Sequence, residues 1–245
     1  MTLLTVVQAA YFVAAVMFIL GLKRMSSPVT ARQGIVQAGI GMVIATIATF
    51  YFYFFDASGN YVLHVDNLVL CIAAIGIGTS VAWISGKKVA MTDMPQMVAL
   101  YNGMGGGSAA AIGAVELFKA AALAGAAVTA MDMQAAQEQF GFTKSLLAVV
   151  GALIGAVSFS GSLIAFAKLQ GWMDKRYTFP GQQAFNLLLF VAAIVLGGML
   201  MFQLDERIII AFFIVCLVLG VSMTLPIGGA DMPVVISLYN AFTGL

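Results

Sequence analysis

The chain has 245 residues, of which 62% are hydrophobic and only 9% charged, with a formal net charge of +1 and a mean hydropathy of +1.04. A soluble domain carries about 25% charged residues, so this composition excludes a water-soluble globular enzyme and points to a polytopic protein whose solvent is mostly lipid. Net charge near zero gives no reason to expect a nucleic-acid partner, and no His/Cys/Asp/Glu spacing suggests a metal site.

A bilayer core about 30 Å thick needs about 20 apolar residues per helix, and eight runs reach or approach that length. They are 2–22, 33–55, 61–84, 94–115, 143–167, 183–203, 207–227 and 231–245. The first run ends on Lys23-Arg24 and lacks the basic leader and small-residue cleavage site of a signal peptide. The last run has about fifteen residues, or about 22 Å of helix, too short to cross; the natural protein is expected to continue past Leu245. The fold class is therefore an all-α transmembrane helix bundle, read as one membrane domain over residues 1–245.

With the N-terminus outside, the inner loops hold Lys23, Arg24, Arg32, Lys87, Lys88, Lys168, Lys175 and Arg176, and the outer side holds Lys119, Lys144 and Arg207. Eight against three satisfies the positive-inside rule. Residues 50–55 (FYFYFF) form an aromatic belt at the outer end of the second span, and Trp172, Tyr177 and Phe179 lie near an inner boundary. An Ala-rich outer loop, 117–142, is predicted, with a surface helix as one option. Cys71 and Cys216 sit inside apolar runs and read as small buried hydrophobes, with no disulfide.

One phrase occurs twice. Asp93-Met94-Pro95, Val98, Leu100, Tyr101, Asn102 and Gly106 return as Asp231-Met232-Pro233, Ile236, Leu238, Tyr239, Asn240 and Gly244, at a constant offset of 138. Spans three and four thus correspond to spans seven and eight. Four intervening helices make this a parallel repeat rather than an inverted one.

Both Asp residues stand at an inner helix start, where a carboxylate caps free amides and can also accept a proton at a channel mouth. Asp93 has Lys87 and Lys88 close in sequence, whereas Asp231 follows only Gly228-Gly229-Ala230 and reads as the less compensated. Asn102 and Asn240 fall nine residues further on, about 13.5 Å along the helix, close to mid-membrane. Polar side chains there serve as interhelical hydrogen bonds or as part of a conduction path. An Asn cannot release a proton itself, but it can hold water or a neighbour's ionisable group.

The fifth span carries Ser158, Ser160 and Ser162, which cannot all share one helix face; some should bond back to the preceding turn and some should face the interior. Residues 103–108 (GMGGGS) mimic a phosphate loop, but no strand precedes them, and Gly103, Gly107 and Ala111 instead make a small-residue packing ridge. His64, the only His, lies at the outer end of the third span and is either an outer proton entry or an interfacial residue without a path role.

At these residues the chain resembles a known family. The phrase Asp231 to Asn240 (DMPVVISLYN), the segment from Met94 to Asn102, and residues 155–162 (GAVSFSGS) look like the beta subunit of proton-translocating NAD(P) transhydrogenase, and the likeness runs over essentially the whole chain. The resemblance implies a bacterial inner-membrane translocase subunit, N-terminus outside. In it, protons cross while hydride passes from NADH to NADP+ in soluble domains. It implies no cofactor in this chain: NADP(H) and NAD(H) would be bound by domains outside it.

The implied partners are the alpha subunit, with the NAD(H) domain and further membrane helices, the chain's own following NADP(H) domain, a second alpha–beta unit, and the bilayer. Asp231 and Asn240 match the family's polar residues in the helix nearest the NADP(H) domain. Asn102 falls where many members carry a His, so a partner-subunit helix is expected to bring an ionisable group to Asn102. The proton path expected on this basis comprises Asn102, Asn240, Asp231, Ser162, Asp93 and His64. The competing class is a secondary transporter of a small solute, built on the parallel repeat.

Overall fold

The structure is a computed structural model that describes residues 3–51, 54–55, 61, 65–125, 141–173 and 175–244. Its helices are α1 (Leu3–Met25), α2 (Ala31–Phe50), α3 (Val65–Lys88), α4 (Met94–Gly125), α5 (Phe142–Leu169), α6 (Gln182–Leu200), α7 (Glu206–Thr224) and α8 (Met232–Thr243). A backbone in hydrocarbon has no water to bond, so it satisfies its own amides and carbonyls by coiling. The five prolines, Pro28, Pro95, Pro180, Pro226 and Pro233, all fall between helices or in a first turn, where the missing amide costs least. Helices α1 to α7 are long and apolar enough to cross a membrane, which makes this a multi-pass membrane protein. At 12 residues, α8 is about 18 Å long and does not reach across.

Two expected boundaries move. Helix α4 continues through the predicted outer loop to Gly125, because residues 114–124 contain strong helix formers and no Gly or Pro to stop them; the predicted loop 117–142 therefore begins no earlier than residue 126. At 32 residues, α4 is about 48 Å long, well beyond the hydrocarbon thickness. Helix α2 ends at Phe50, so most of the FYFYFF run lies past its end, with Tyr51 stacked on Phe55 at 4.9 Å. Residues 126–140 and His64 lie outside the described residues.

The chain divides into two units, Met1–Lys88 and Val89–Leu245. In the first, α1 and α2 form a close hairpin. A Cβ on Gly34 would stand 2.5 Å from the Gly21 carbonyl oxygen, so only glycine permits the approach. Tyr11 and Thr49 bridge the pair by a hydroxyl–hydroxyl bond of 3.0 Å.

In the second unit α5 is central and packs against α4, α6, α7 and α8. Its buried face is small throughout, from Ser145 through Ala152, Gly155 and Ala156 to Ala165. Backbones can therefore come close, which in lipid is the main source of helix association. Between α4 and α5 the glycines come closest at Gly106 and Gly155: a Cβ on Gly155 would lie 2.6 Å from both Gly106 O and Ala110 N. This revises the expected ridge. Gly103, Gly106 and Gly113 face α5 backbone or Cβ atoms, while Gly107 meets only the Phe159 ring. An apolar core of Leu117, Val149, Leu200, Ile209, Phe212 and Cys216 closes the α4–α5–α6–α7 side, and Cys71 and Cys216 are free thiols.

Candidate functional site

The repeated phrase folds twice into the same local structure. A short 3-10 turn, Met91–Asp93 in one copy and Gly229–Asp231 in the other, follows an extended residue and leads directly into a helix. Ala90 (φ −71°, ψ 154°) matches Gly228 (φ −76°, ψ 157°), and Met94 (φ −57°, ψ −40°) matches Met232 (φ −60°, ψ −37°). Both helices start at the same end of α5. Gln96 Nε2 donates to Leu169 O at 3.3 Å, and Lys168 Nζ donates to Ile227 O, just before the second copy, at 2.6 Å. The repeat is thus parallel in space as well as in sequence.

Running back along α5 from that end, the two copies meet at a polar quartet, with Asn102, Ser158 and Ser162 buried and Thr243 half-buried. Asn102 is 7% exposed. Its Nδ2 donates to Ser162 Oγ at 2.9 Å and to Ser158 Oγ at 3.3 Å, and its Oδ1 accepts from Thr243 Oγ1 at 3.1 Å. Both amide protons are used, so the amide orientation follows from the network. Ser158 and Ser162 stand one helical turn apart, which is why a single side chain reaches both. Ser160, on another face, bonds back to Ala156 O at 3.1 Å and Val157 O at 3.3 Å. The serine cluster divides as the sequence leads one to expect: two hydroxyls face the interior, one closes on its own helix.

A second polar group lies nearer the helix starts. Tyr239 OH and Thr224 Oγ1 share a hydrogen bond of 2.8 Å, with Thr224 also donating to Gly220 O at 2.8 Å, as does any hydroxyl paired to its own preceding turn. The Tyr239 ring lies over Gly161, where a Cβ would come within 2.6 Å of it. Lys168, buried at 6% exposure, sends its ammonium into the C-terminal end of α7, donating to the carbonyls of Thr224 (3.4 Å), Leu225 and Ile227 (2.6 Å). A cation among carbonyls that have no helical partner is stabilised by both hydrogen bonding and the helix dipole.

Several expected site residues stand apart from these groups. Asn240, the repeat mate of Asn102, is exposed in this chain; its backbone carbonyl accepts from Thr243 Oγ1 at 3.0 Å and from Gly244 N at 3.1 Å, and no side chain among the described residues bonds its carboxamide. Asp231 makes no side-chain cap to α8; its Oδ2 instead meets Arg176 Nη2 at 3.4 Å, with both side chains about two-thirds exposed. Asp231 therefore has a counter-charge, which its own sequence neighbours did not lead one to expect. Its own φ and ψ (−91°, −4°) are helical rather than extended, which turns the carboxylate away from the amides it would cap. Asp205 shows the contrast: extended at ψ 131°, it caps α7 through Arg207 N at 2.7 Å. Asp93 is exposed and accepts from Thr92 Oγ1 at 3.4 Å, while Lys87 lies 4.6 Å over the Trp83 ring.

Thr243, Lys168, Thr224 and Tyr239 escaped the sequence reading. Tyr239 sits in the repeated phrase, and Thr243 follows Asn240 at i+3, so spacing alone could have raised both. Lys168 was counted as an inner-loop charge; its place in the last turn of an apolar helix was the available signal.

A family profile described as NAD(P) transhydrogenase beta subunit matches residues 7–245. The NAD(P) transhydrogenase subunit beta of Rhodospirillum rubrum is 34% identical over 237 residues, covering 96% of this chain and 47% of the relative. The protein of the same name from a sequenced strain of that organism gives the same figures. The chain thus spans about half the length of the curated relatives it matches.

Proposed function

This chain belongs to the NAD(P) transhydrogenase beta subunit family, and from that premise we propose that it is the membrane part of a proton-translocating NAD(P) transhydrogenase. Protons cross through its helices from outside to inside while hydride passes from NADH to NADP+ in soluble domains beyond this chain. Those domains bind NADP(H) and NAD(H); nothing in residues 3–244 is assigned to either. The partners of the reading are the alpha subunit, a following NADP(H) domain and a second alpha–beta unit. The membrane is the bacterial inner membrane, with the N-terminus outside.

The observation that carries the reading is the polar quartet of buried Asn102, Ser158 and Ser162 with half-buried Thr243, on which three helices converge. Polar groups inside a membrane bundle serve as interhelical hydrogen bonds or line a conduction path, and the convergence of both repeat copies on this point supports the second role. Asn102 cannot titrate, but it fixes two hydroxyls as acceptors, leaving each Ser O–H proton to point elsewhere. A neighbouring ionisable side chain, supplied by a partner-subunit helix, would exchange its proton through those hydroxyls and water. Asp231, exposed on the turn before α8 and balanced by Arg176, serves as the inner mouth, where a nucleotide domain can contact it. Asn240, on the exposed face of the same helix, faces whatever packs there in the assembled enzyme.

The test uses the full-length enzyme in proteoliposomes, comparing proton-coupled transhydrogenation with hydride exchange confined to the soluble domains. Asp231→Asn and Asn240→Leu are expected to lower the coupled rate about tenfold or more, equivalent to about 1.4 kcal/mol of barrier, with exchange partly retained. Wild-type coupling in both variants would refute the reading.

A further inference from the structure

The α1–α2 hairpin carries a feature that proton conduction does not use. A groove of about 630 Å³ runs along it, lined by Arg24 and Arg32 at one end, by Gln33 and Gln37, and by Met17, Val36 and Ile40. Met17 precedes Arg24 by seven residues and Ile40 follows Arg32 by eight, so the apolar end lies about 10–12 Å deeper along the helices than the guanidiniums. The hairpin supplies no acid of its own to balance this end: the first 55 residues contain no Asp or Glu, whereas Lys23, Arg24 and Arg32 cluster at the hairpin turn. Between the two ends, Gln37 Oε1 is buried with no hydrogen-bond partner among the described residues.

We propose that this groove binds one anionic phospholipid, its phosphodiester held by Arg24 and Arg32 and an acyl chain lying along Met17, Val36 and Ile40. Guanidinium forks match phosphate oxygens in pairs, and basic pockets between membrane helices recruit such headgroups. The depth of the groove separates a lipid from a free anion. Inorganic phosphate would use the arginines alone, and only a molecule with a hydrocarbon tail gains from the lower half.

The full-length enzyme, purified in detergent, is titrated with dioleoyl phosphatidylglycerol or dioleoyl phosphatidylcholine, and bound lipid is counted by native mass spectrometry. The wild type is expected to retain one phosphatidylglycerol about tenfold more strongly than phosphatidylcholine, a difference of about 1.4 kcal/mol. Arg24→Gln/Arg32→Gln should lose that lipid. Because this double variant removes charges that set membrane orientation, Met17→Trp provides an independent arm: it fills the apolar half, keeps every charge, and should also release the lipid. Equal retention of both lipids by the wild type, undiminished phosphatidylglycerol in Met17→Trp, or complete displacement by millimolar inorganic phosphate would each overturn the proposal. The readout is binding, so its outcome is independent of whether the enzyme pumps protons.

Discussion

Asn102 and Ser162, sixty residues apart in the chain, are joined by a buried hydrogen bond of 2.9 Å between α4 and α5. The bond holds a carboxamide where a third helix, α8, can complete its coordination through Thr243. Three helices thus share one polar point inside the second unit, with Gly103, Gly106 and Gly155 letting α4 and α5 come close beside it. Interhelical hydrogen bonds in membranes average about 0.6 kcal/mol, so the quartet adds little to stability by itself. Its consequence lies in what remains when one member is removed.

Asn102→Leu strips Ser158, Ser162 and Thr243 of their shared partner. Burying unpaired hydroxyls costs about 1–3 kcal/mol. The expected result is a lower midpoint of thermal unfolding in detergent together with loss of proton-coupled turnover. Thr243→Val should be milder, because Thr243 also bonds Tyr239 O and Asn240 O on its own helix and Asn102 keeps both serines. Equal losses in the two variants would contradict the geometry.

The contact of Gly106 with Gly155 predicts a sharp positional dependence. Gly106→Ala places a methyl 2.9 Å from Gly155 O and 3.0 Å from Phe159 N, and overpacking against backbone costs about 1–3 kcal/mol. Gly105→Ala, one residue away, meets nothing within 4 Å and should be neutral or slightly stabilising through helix propensity. Thermal unfolding of both variants, measured side by side, checks the register of α4 on α5.

Lys168 organises the segment that carries Asp231. Lys168→Met leaves the Thr224, Leu225 and Ile227 carbonyls without their cation, so residues 225–231 should open more readily. Hydrogen exchange there is expected to rise about tenfold, corresponding to about 1.4 kcal/mol of lost protection. The matching turn at residues 91–93, which Lys168 does not touch, should be unchanged. A uniform rise across both turns would indicate general destabilisation instead.

The Arg176–Asp231 pair, by contrast, should contribute almost nothing to stability. Both side chains are about two-thirds exposed and the contact is 3.4 Å, and exposed pairs are worth about 0–1 kcal/mol. Arg176→Gln is therefore expected to unfold within about 0.5 kcal/mol of the wild type, while proton-coupled turnover changes because the Asp231 carboxylate has lost its counter-charge. A large drop in stability would mean that the pair is buried in the assembled enzyme.

Composition alone determined that this chain lives in a bilayer, because a surface this apolar has no other solvent. Apolar run lengths placed the helices to within a few residues, except where α2 stopped at Phe50 and where Ala-rich sequence let α4 run on to Gly125. The repeated phrase determined its own fold twice over: an extended residue, a 3-10 turn and a proline in the first helical turn are local choices, and the shared Asp-Met-Pro ends matching turns although the residues before the Asp differ. What the phrase could not determine is what surrounds it. Asn102 and Asn240 share their local sequence, yet one is buried and the other exposed, because Ser158, Ser162 and Thr243 converge on the first and no described side chain bonds the second. The pairing of Asp231 with Arg176 and the three carbonyls gathered by Lys168 are likewise contacts between residues 55 to 59 positions apart. Burial and partnership belong to the packing of helices against one another, and only the tertiary structure brings those distant segments together.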